Sequence, residues 1–375
     1  MARDNPKRKC EANNVRDKLE KMNYGLVGET SAVQICRWTK NSLKGDRGCW
    51  KEKFYGIKSS GCVQMTPSVM WCENKCLHCW RPIEMNLGTE LPSVDDPVEI
   101  LDGIVAKRRE MLQGMKGNAD VDSESFEKDI EPSLFTMSLS GESTLYPRLG
   151  EMFAEIRRRG AVSFLVSNGL NPEAIKRLER VERKNEPRTT RTNADNEKME
   201  QDFVSGLPTQ LVISCNAPNE ELFLKWHRSS VRDAWVKFGE SLDVMRELKG
   251  KVRRVVRLTL VKEGSEGEFG EMSNMVKESG VGGRELGVGE DDMIDEYVSL
   301  IKRAEPDFVH VKGYKAVGYA KERMGYDNQV WHEGIKEFAR ALGERLGDFS
   351  VGAEDDRSCV VALVRKSVDM KIKFF

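Results

Sequence analysis

Short apolar runs alternate with longer amphipathic stretches along most of this chain. The runs have the length of buried strands, roughly four to eight residues, and predict strands at 68–71, 134–140, 162–168, 210–216, 254–261, 307–314 and 359–364. The stretches between them repeat apolar residues at helical spacing and predict helices at 146–159, 172–184, 231–249, 291–304 and 328–346. This β–α repetition predicts a parallel sheet with crossover helices, either an α/β barrel or an open doubly wound sheet.

Two segments interrupt the alternation. Residues 182–206 are polar with few large apolar side chains, and residues 262–290 are rich in Gly and Glu. Because segments of this composition bury little apolar surface, we predict that both are insertions at the surface.

The composition is that of a globular protein, with 39% hydrophobic and 32% charged residues. No apolar run approaches the length of a membrane span, and the first residues, MARDNPKRKCEANN, lack the apolar core of a secretory signal. Nine cysteines in such a chain indicate a reducing compartment, where clustered cysteines more often bind metal than form disulfides. We therefore expect a cytoplasmic protein with no membrane partner.

Three of the cysteines, Cys72, Cys76 and Cys79, form a C-x3-C-x2-C motif inside MWCENKCLHCWRP. A structural zinc ion needs four ligands, and His78 is the nearby candidate for the fourth. An Fe–S cluster can instead take three cysteines and leave one iron open to another ligand. The motif predicts an Fe–S cluster, with a zinc site or buried thiols as the alternatives.

Charge is unevenly distributed along the chain. Residues 1–62 contain 14 Lys and Arg against 7 Asp and Glu, a net charge of +7, and the rest of the chain has a net charge of −8. A basic segment on an acidic protein favours a polyanionic partner, and the alternative is a solvated charged face.

The cysteine motif follows the first predicted strand and resembles that of the radical S-adenosylmethionine (SAM) superfamily. In that superfamily the three cysteines bind a [4Fe–4S] cluster, SAM chelates the open iron, and one electron splits SAM into methionine and a 5′-deoxyadenosyl radical. LSGESTLYP at the end of the next strand agrees, because Gly141 and Glu142 match the element that holds the SAM amino group.

A wider resemblance covers most of the chain outside the two insertions. Residues 24–82 look like the tRNA 4-demethylwyosine synthase family, in which three further cysteines bind a second [4Fe–4S] cluster. Cys36, Cys49 and Cys62 match them, thirteen residues apart. The resemblance continues through SLSGESTLYP, FLVSNG, PTQLVIS, VKGY and EDDRS. Two positions depart from it: Ser143 replaces a proline, and Asn216 replaces an aspartate, which removes a charge but keeps a hydrogen-bonding group.

The resemblance implies an activity and its ligands. The family converts 1-methylguanosine in the anticodon loop of tRNA-Phe to a tricyclic base with two carbons from pyruvate, using SAM and two [4Fe–4S] clusters. Lys51 matches the proposed pyruvate-binding lysine, and Lys53 is its local competitor. Besides Gly141 and Glu142, the strand-end candidates for SAM contacts are Ser167, Asn168, Ser214, Asn216, Arg257 and Thr259.

The resemblance also implies an RNA surface and an external reductant. Trp71, Trp80 and Arg81 are candidates to contact the target base. The candidates for the RNA backbone are Arg37, Lys40, Lys44, Arg47, Lys53 and Lys58. Because about 35 residues precede the first cysteine set, too few for a domain that supplies electrons, we expect a flavodoxin-like protein or a ferredoxin as donor.

The expected architecture is an α/β fold, a partial (βα)6-type radical SAM barrel over residues 63–320. A basic, cluster-binding extension precedes it at 1–62, and a C-terminal extension at 321–375 packs on it. Two other functions compete with the wyosine-pathway reading. One is a radical SAM enzyme with an auxiliary cluster and a different substrate, and the other is a non-catalytic Fe–S or zinc RNA-binding module.

Overall fold

The computed structural model describes residues 6–182, 203–262 and 288–372, so the predicted insertions lie mostly outside the described residues. The strands are β1 (Gly25–Val27), β2 (Ser31–Gln34), β3 (Cys62–Thr66), β4 (Leu134–Met137), β5 (Val162–Ser167), β6 (Val181–Glu182), β7 (Phe203–Val204), β8 (Gln210–Ser214), β9 (Arg253–Leu260), β10 (Phe308–Gly313), β11 (Phe349–Asp355) and β12 (Val360–Arg365). The helices are α1 (Pro6–Lys21), α2 (Arg37–Leu43), α3 (Trp50–Tyr55), α4 (Pro97–Leu112), α5 (Phe126–Asp129), α6 (Leu149–Arg158), α7 (Pro172–Arg177), α8 (Glu220–His227), α9 (Ala234–Glu247), α10 (Val288–Ala304), α11 (Gly318–Met324) and α12 (His332–Leu346). Within these ranges, no helix has the length and apolar character needed to cross a bilayer.

Among the described residues, ten strands form one mixed sheet in the order β1-β2-β3-β4-β5-β8-β9-β10-β12-β11. The strands β3, β4, β5, β8, β9 and β10 run parallel and are neighbours in chain order. A doubly wound sheet reverses its strand order, and this one does not. Antiparallel pairs extend both edges, β1–β2 beside β3 and β12–β11 beside β10. The prediction of an α/β, partial (βα)6-type fold is confirmed.

The inner face of the parallel strands changes from apolar to polar along their length. Alternate residues of a strand share a face. Near the strand beginnings this face carries buried aromatic residues such as Phe164 and Phe308. Towards the carboxyl ends it carries Ser214, Arg257 and Lys312 instead. Polar groups therefore collect at the carboxyl ends, where catalytic sites of parallel barrels lie.

The prediction of a strand at 68–71 is wrong. The first parallel strand is Cys62–Thr66, and the chain then turns, with Met70 in the left-handed region at φ 67°. The 68–71 run is apolar because it packs against Leu19 and Tyr24 of the N-terminal segment. Burial by packing gives the same sequence pattern as burial in a sheet.

The N-terminal segment joins the sheet directly, since β2 pairs with β3. The start of β3 is fixed by the buried guanidinium of Arg108 on α4, which donates to the carbonyl oxygens of Ser60, Cys62 and Ile130. Residue 62, the last residue of the predicted N-terminal extension, is therefore the first residue of β3. The division at this point into an extension and a barrel stays a prediction.

Candidate functional site

A cavity of about 350 Å³ opens at the carboxyl ends of the parallel strands. Its lining includes the predicted first cysteine set and every predicted SAM contact: Cys72, Cys76, Cys79, Gly141, Glu142, Ser167, Asn168, Ser214, Asn216, Arg257 and Thr259. The structure thus brings these residues together. Their assignment to a cluster and to SAM stays a prediction.

The loop that carries the three cysteines is held by the end of α8. The amide of Lys75 donates to the carbonyl of His227 at 2.9 Å, and the amide of Leu77 donates to that of Trp226 at 3.0 Å. Burial raises the pKa of the Cys72 thiol well above its usual range. A thiolate at this position therefore needs a positively charged partner, which iron supplies.

Gly141 allows two loops to touch. Its φ is +75°, and a Cβ at this position would collide with the carbonyl oxygen of Ser68. The next residue, Glu142, donates its amide to the carbonyl of Trp71 at 2.7 Å. Because Trp71 immediately precedes Cys72, the glycine places the Glu142 carboxylate beside the cysteine loop.

The Glu142 carboxylate is buried and partly satisfied. Oε1 accepts from the Thr144 hydroxyl at 2.8 Å, and Oε2 accepts from the Asn168 amide at 2.8 Å. Burial raises its pKa, against these hydrogen bonds. Oε1 also accepts from the Thr144 backbone amide at 3.2 Å. Because each carboxylate oxygen can accept two hydrogen bonds, the capacity for a ligand ammonium group lies on Oε2.

Glu73 is a site residue that sequence reasoning missed. Asn168 donates its side-chain amide to the Glu73 carboxylate at 3.0 Å and lies 3.8 Å from the Cys72 sulfur. Burial, with the nearby Glu142, raises the pKa of Glu73 to about 7. Its only sequence signal is its position inside the cysteine motif.

Arg257 places a cation in the cavity. Its Nη2 donates to the Ser214 hydroxyl at 2.6 Å, and in the described ranges nothing accepts a hydrogen bond from its buried Nε. Buried donors are normally satisfied. An anionic group such as the SAM carboxylate fits this donor, and the three thiols fit an Fe–S cluster.

His78, the alternative zinc ligand, lies against other side chains. Its Nε2 is 3.1 Å from the side-chain amide nitrogen of Asn216, and its ring contacts those of Trp226 and His227 edge-on. Burial lowers its pKa to about 3. Of the residues that the structure describes, no three His, Cys, Asp or Glu side chains converge as they would around a single ion. Thiolates that hold an Fe–S cluster bind different irons and do not have to converge.

The second cysteine set lies at the other end of β3. Cys36 and Cys49 directly precede helices α2 and α3, and Cys62 is the first residue of β3. Four strand steps separate Cys62 from the end of β3 at Thr66, a distance of about 13 Å. The two cysteine sets are therefore separated by roughly the length of one strand.

Lys51 and Lys53 point to different neighbours. The Lys51 Nζ lies 3.6 Å from the Cys62 sulfur, whereas the Lys53 Nζ donates to the carbonyl of Glu354 at 2.6 Å. Burial disfavours the Lys51 ammonium, but thiolate charge at Cys62 and Cys49 more than offsets this and raises its pKa. The geometry favours Lys51 as the lysine of the second cysteine set.

Lys312, also missed as a site residue, connects this region to the cavity. It lines the cavity, and its Nζ lies 5.5 Å from the centre of the Trp50 ring, next to Lys51 in the chain. Burial and the Arg257 cation lower its pKa to about 8. The signal available in the sequence was a lysine in the otherwise apolar strand DFVHVKGY.

Only one of the three predicted base contacts is accessible. Trp71 and Arg81 are buried, and the Arg81 Nε donates to the carbonyl of Leu139 at 2.7 Å. Trp80 is exposed and lines the cavity. Trp71 and Arg81 therefore have no free surface on which a base could stack.

Comparisons of the sequence with known proteins identify relatives of this chain. A family model described as wyosine base formation matches residues 303–365. The S-adenosyl-L-methionine-dependent tRNA 4-demethylwyosine synthase of Pyrococcus abyssi is 37% identical over 95% of this chain and 90% of its own. The enzyme of the same name from Methanocaldococcus jannaschii is 27% identical over 94% of this chain and 97% of its own.

Solved structures agree with the sequence matches. A structure described as TYW1 with a lysine–pyruvate adduct bound superposes with a TM-score of 0.73 and 26% identity, covering 96% of this chain and 98% of that one. An archaeal TYW1 shares the fold, with a TM-score of 0.67 over 96% of this chain and 99% of that one. Given 37% identity across nearly its full length, this chain belongs to the family of SAM-dependent tRNA 4-demethylwyosine synthases.

Proposed function

We propose that this protein condenses 1-methylguanosine of tRNA-Phe with pyruvate to form 4-demethylwyosine, using SAM and two [4Fe–4S] clusters. The observation that carries the proposal is the Lys51 amine, 3.6 Å from the Cys62 thiol of the second cysteine set. A lysine amine can capture the carbonyl of a keto acid. The relative with a lysine–pyruvate adduct supports this chemistry for the family.

The six cysteines supply two cluster sites. Cys72, Cys76 and Cys79 would hold the first cluster at the cavity, and the second would lie between Cys36, Cys49 and Cys62. When bound, the first cluster and SAM supply a primary carbon radical, which can break the unreactive N-methyl C–H bond.

The cavity residues bind and orient SAM. Glu142 would accept from the amino group of SAM, and Arg257 would donate its Nε to the carboxylate of SAM. Gly141 keeps Glu142 against the cysteine loop. Ser167, Asn168 and Asn216 follow adjacent strand ends and provide further polar contacts.

Lys51 binds pyruvate covalently. The Lys51 ammonium first loses a proton to water. The neutral amine then forms a C–N bond to C2 of pyruvate, and the carbonyl oxygen leaves as water, which gives a Schiff base. Lys312 presents a cation from the cavity side near Trp50. A cation at this position is suited to the pyruvate carboxylate, because unlike charges attract strongly where water is excluded.

The partners follow from the same reaction. The substrate base enters from an anticodon loop, and splitting SAM requires one electron from an external donor, a flavodoxin-like protein or a ferredoxin. The free thiols of both sets fit a reducing compartment such as the cytoplasm.

The deciding assay combines the anaerobically purified protein with tRNA-Phe containing 1-methylguanosine, pyruvate, SAM and dithionite, followed by mass spectrometry of the nucleosides. We expect the tricyclic base, and its formation should require all four components. SAM cleavage without the tricyclic base would indicate a radical SAM enzyme with another substrate. A protein that binds tRNA but does not cleave SAM would be a non-catalytic module.

A further inference from the structure

Three exposed apolar side chains lie in or beside the lining of the cavity. Trp331, Val317 and Trp80 are 58%, 52% and 38% exposed. Trp80 and Val317 line the cavity, and Trp331 lies beside Lys315, another lining residue. We call Trp80, Val317 and Trp331 the rim.

The backbone of the rim is held in place while its side chains stay uncovered. The Tyr319 amide donates to the carbonyl of Trp80 at 3.1 Å, which joins the segment after β10 to the cysteine loop. The Ala316 amide donates to the Gln329 side chain at 3.2 Å. Trp331 directly precedes α12. The rim is therefore a preformed surface.

Cations accompany the exposed rings. The Lys315 Nζ lies 5.4 Å from the centre of the Trp331 ring. The Arg81 guanidinium lies over Trp80, but it is buried and offers no surface to a phosphate. Beyond Trp331, His332 lies 3.5 Å from the Glu354 carboxylate, and the carbonyl of Glu354 accepts from Lys53 of the basic N-terminal segment. Exposed rings next to cations fit single-stranded RNA, whose bases stack on rings and whose phosphates attract cations. A partner protein would favour a surface core depleted of charge.

The proposed reaction requires such a surface. A base that enters the cavity must leave the stack of its loop, so its neighbours lose a stacking partner. An exposed indole at the mouth can replace that partner.

We propose that the rim is the docking surface for the anticodon loop and that Trp331 stacks on a nucleotide flanking the target base. This inference rests on the proposed function and names the residues through which the RNA is held. Trp80 and Val317 complete the surface on the cavity side.

The test measures binding of tRNA-Phe to the holoenzyme by fluorescence anisotropy, together with KM and kcat for tRNA. Trp331→Ala should raise Kd and KM for tRNA about tenfold with a smaller change in kcat, and Trp331→Phe should restore most of the affinity. Val236→Ala is the control, because Val236 is 57% exposed on α9, which adds no residue to the described cavity lining. An affinity of Trp331→Ala within twofold of wild type would overturn the proposal.

A second pair of variants is used if Trp331→Ala does not fold, as judged by its iron content and thermal midpoint. Val317→Asp places a negative charge on the rim, and Val236→Asp places the same charge on α9. Only the first should weaken tRNA binding, and equal affinities of the two would overturn the proposal. Because binding is measured without turnover, the two proposals can fail separately. A wild-type protein that binds tRNA through the rim but forms no tricyclic base would refute the proposed function and leave the docking proposal intact.

Discussion

Two lysines on helix α3, two positions apart, point in different directions and therefore contact different neighbours. In sequence both are cations near Cys49. In the structure Lys51 faces the thiol of Cys62, and Lys53 faces the backbone of β11. Sequence alone left the choice between them open, because it does not give the side-chain direction on so short a helix.

Lys51→Ala should abolish Schiff-base formation with pyruvate, since it removes the amine that lies 3.6 Å from the Cys62 thiol. Incubation with labelled pyruvate and borohydride, followed by peptide mass spectrometry, should show label on Lys51 of the wild type and only background in the variant. Lys53→Ala is the matched control and should keep its label. Trapping that persists in Lys51→Ala would reject this role for Lys51.

His310 gives a residue-scale prediction on pH. It is buried on β10, its Nε2 lies 2.6 Å from the Tyr55 hydroxyl, and the cations of Lys312, Arg257 and Arg253 act on it. Burial, with these cations, lowers its pKa to about 3. The unfolded chain protonates this histidine below about pH 6.5 while the folded chain does not. The stabilisation is therefore complete above pH 6.5 and is lost as the pH falls towards 3.

His310→Gln should be less stable than the wild type at pH 7.5, because the Tyr55 hydroxyl loses the imidazole that lies 2.6 Å away. The difference in free energy of unfolding should shrink by about 1.4 kcal/mol for each pH unit below 6.5. Urea unfolding of both proteins at pH 7.5, 6.5 and 5.5 measures this difference. A difference that does not change with pH would show that His310 titrates normally in the folded protein.

At the scale of elements, the contact between the 141–142 turn and the 68–71 turn gives the clearest prediction. Gly141→Ala should push these turns apart, because the new Cβ meets the carbonyl oxygen of Ser68. The displaced Glu142 should then bind SAM more weakly.

The control for this substitution is Gly160→Ala. Gly160 also has a positive φ, +72°, but a Cβ there has nothing within 4 Å. Both variants should lose about 1 kcal/mol of stability from the strained backbone, but only Gly141→Ala should lose SAM binding in equilibrium dialysis. Equal SAM affinities in the two variants would contradict the predicted role of this contact.

Elements were predictable from sequence where burial and periodicity coincided. The parallel strands β4, β5, β8, β9 and β10 carry continuous apolar runs and were predicted within a few residues. The run at 68–71 failed because it is buried by α1 and β1 without being a strand. Strand β11 was not predicted because most of its side chains are exposed or half-buried, which removes the apolar signal.

The candidate site was predictable only in part, for a similar reason. The cysteines and the Gly141–Glu142 pair have distinctive spacing, and the structure gathers the first set with its predicted partners in one cavity. Glu73 and Lys312 carry only weak local signals, a position inside the cysteine motif and a lysine in a largely apolar strand, and Trp331 carries none. They become notable only because folding brings β10 and the cysteine loop to one cavity and places the start of α12 beside it.

At the scale of the whole molecule, the C-terminal strands and the residues after them contact the segment that carries Lys51. Arg47 pairs with Asp355 at 2.5 Å, and the Ile372 amide donates to the carbonyl of Tyr55 at 3.1 Å. The C-terminal hairpin thus packs on the segment that carries the second cysteine set. Residues 303–365, which the wyosine base formation model matches, therefore include part of the surface that packs on this segment.

Two triple variants test the arrangement of the clusters in the whole molecule. The anaerobic wild type should contain about eight irons. Replacing either Cys36, Cys49 and Cys62 or Cys72, Cys76 and Cys79 with alanine should leave about four. Each variant is the control for the other, and their electron paramagnetic resonance signals after reduction should add up to that of the wild type. Loss of all iron in either variant, or one zinc per chain, would contradict two independent clusters.

Strand β3 connects these two cysteine sets and is hydrogen-bonded on both sides, to β2 and β4. One inserted or deleted residue would turn every later side chain to the opposite face and shift the register with both neighbours. The strand therefore fixes the distance between the two sites. Across related sequences, gaps should be absent between Cys62 and Cys72, even where lengths elsewhere vary freely.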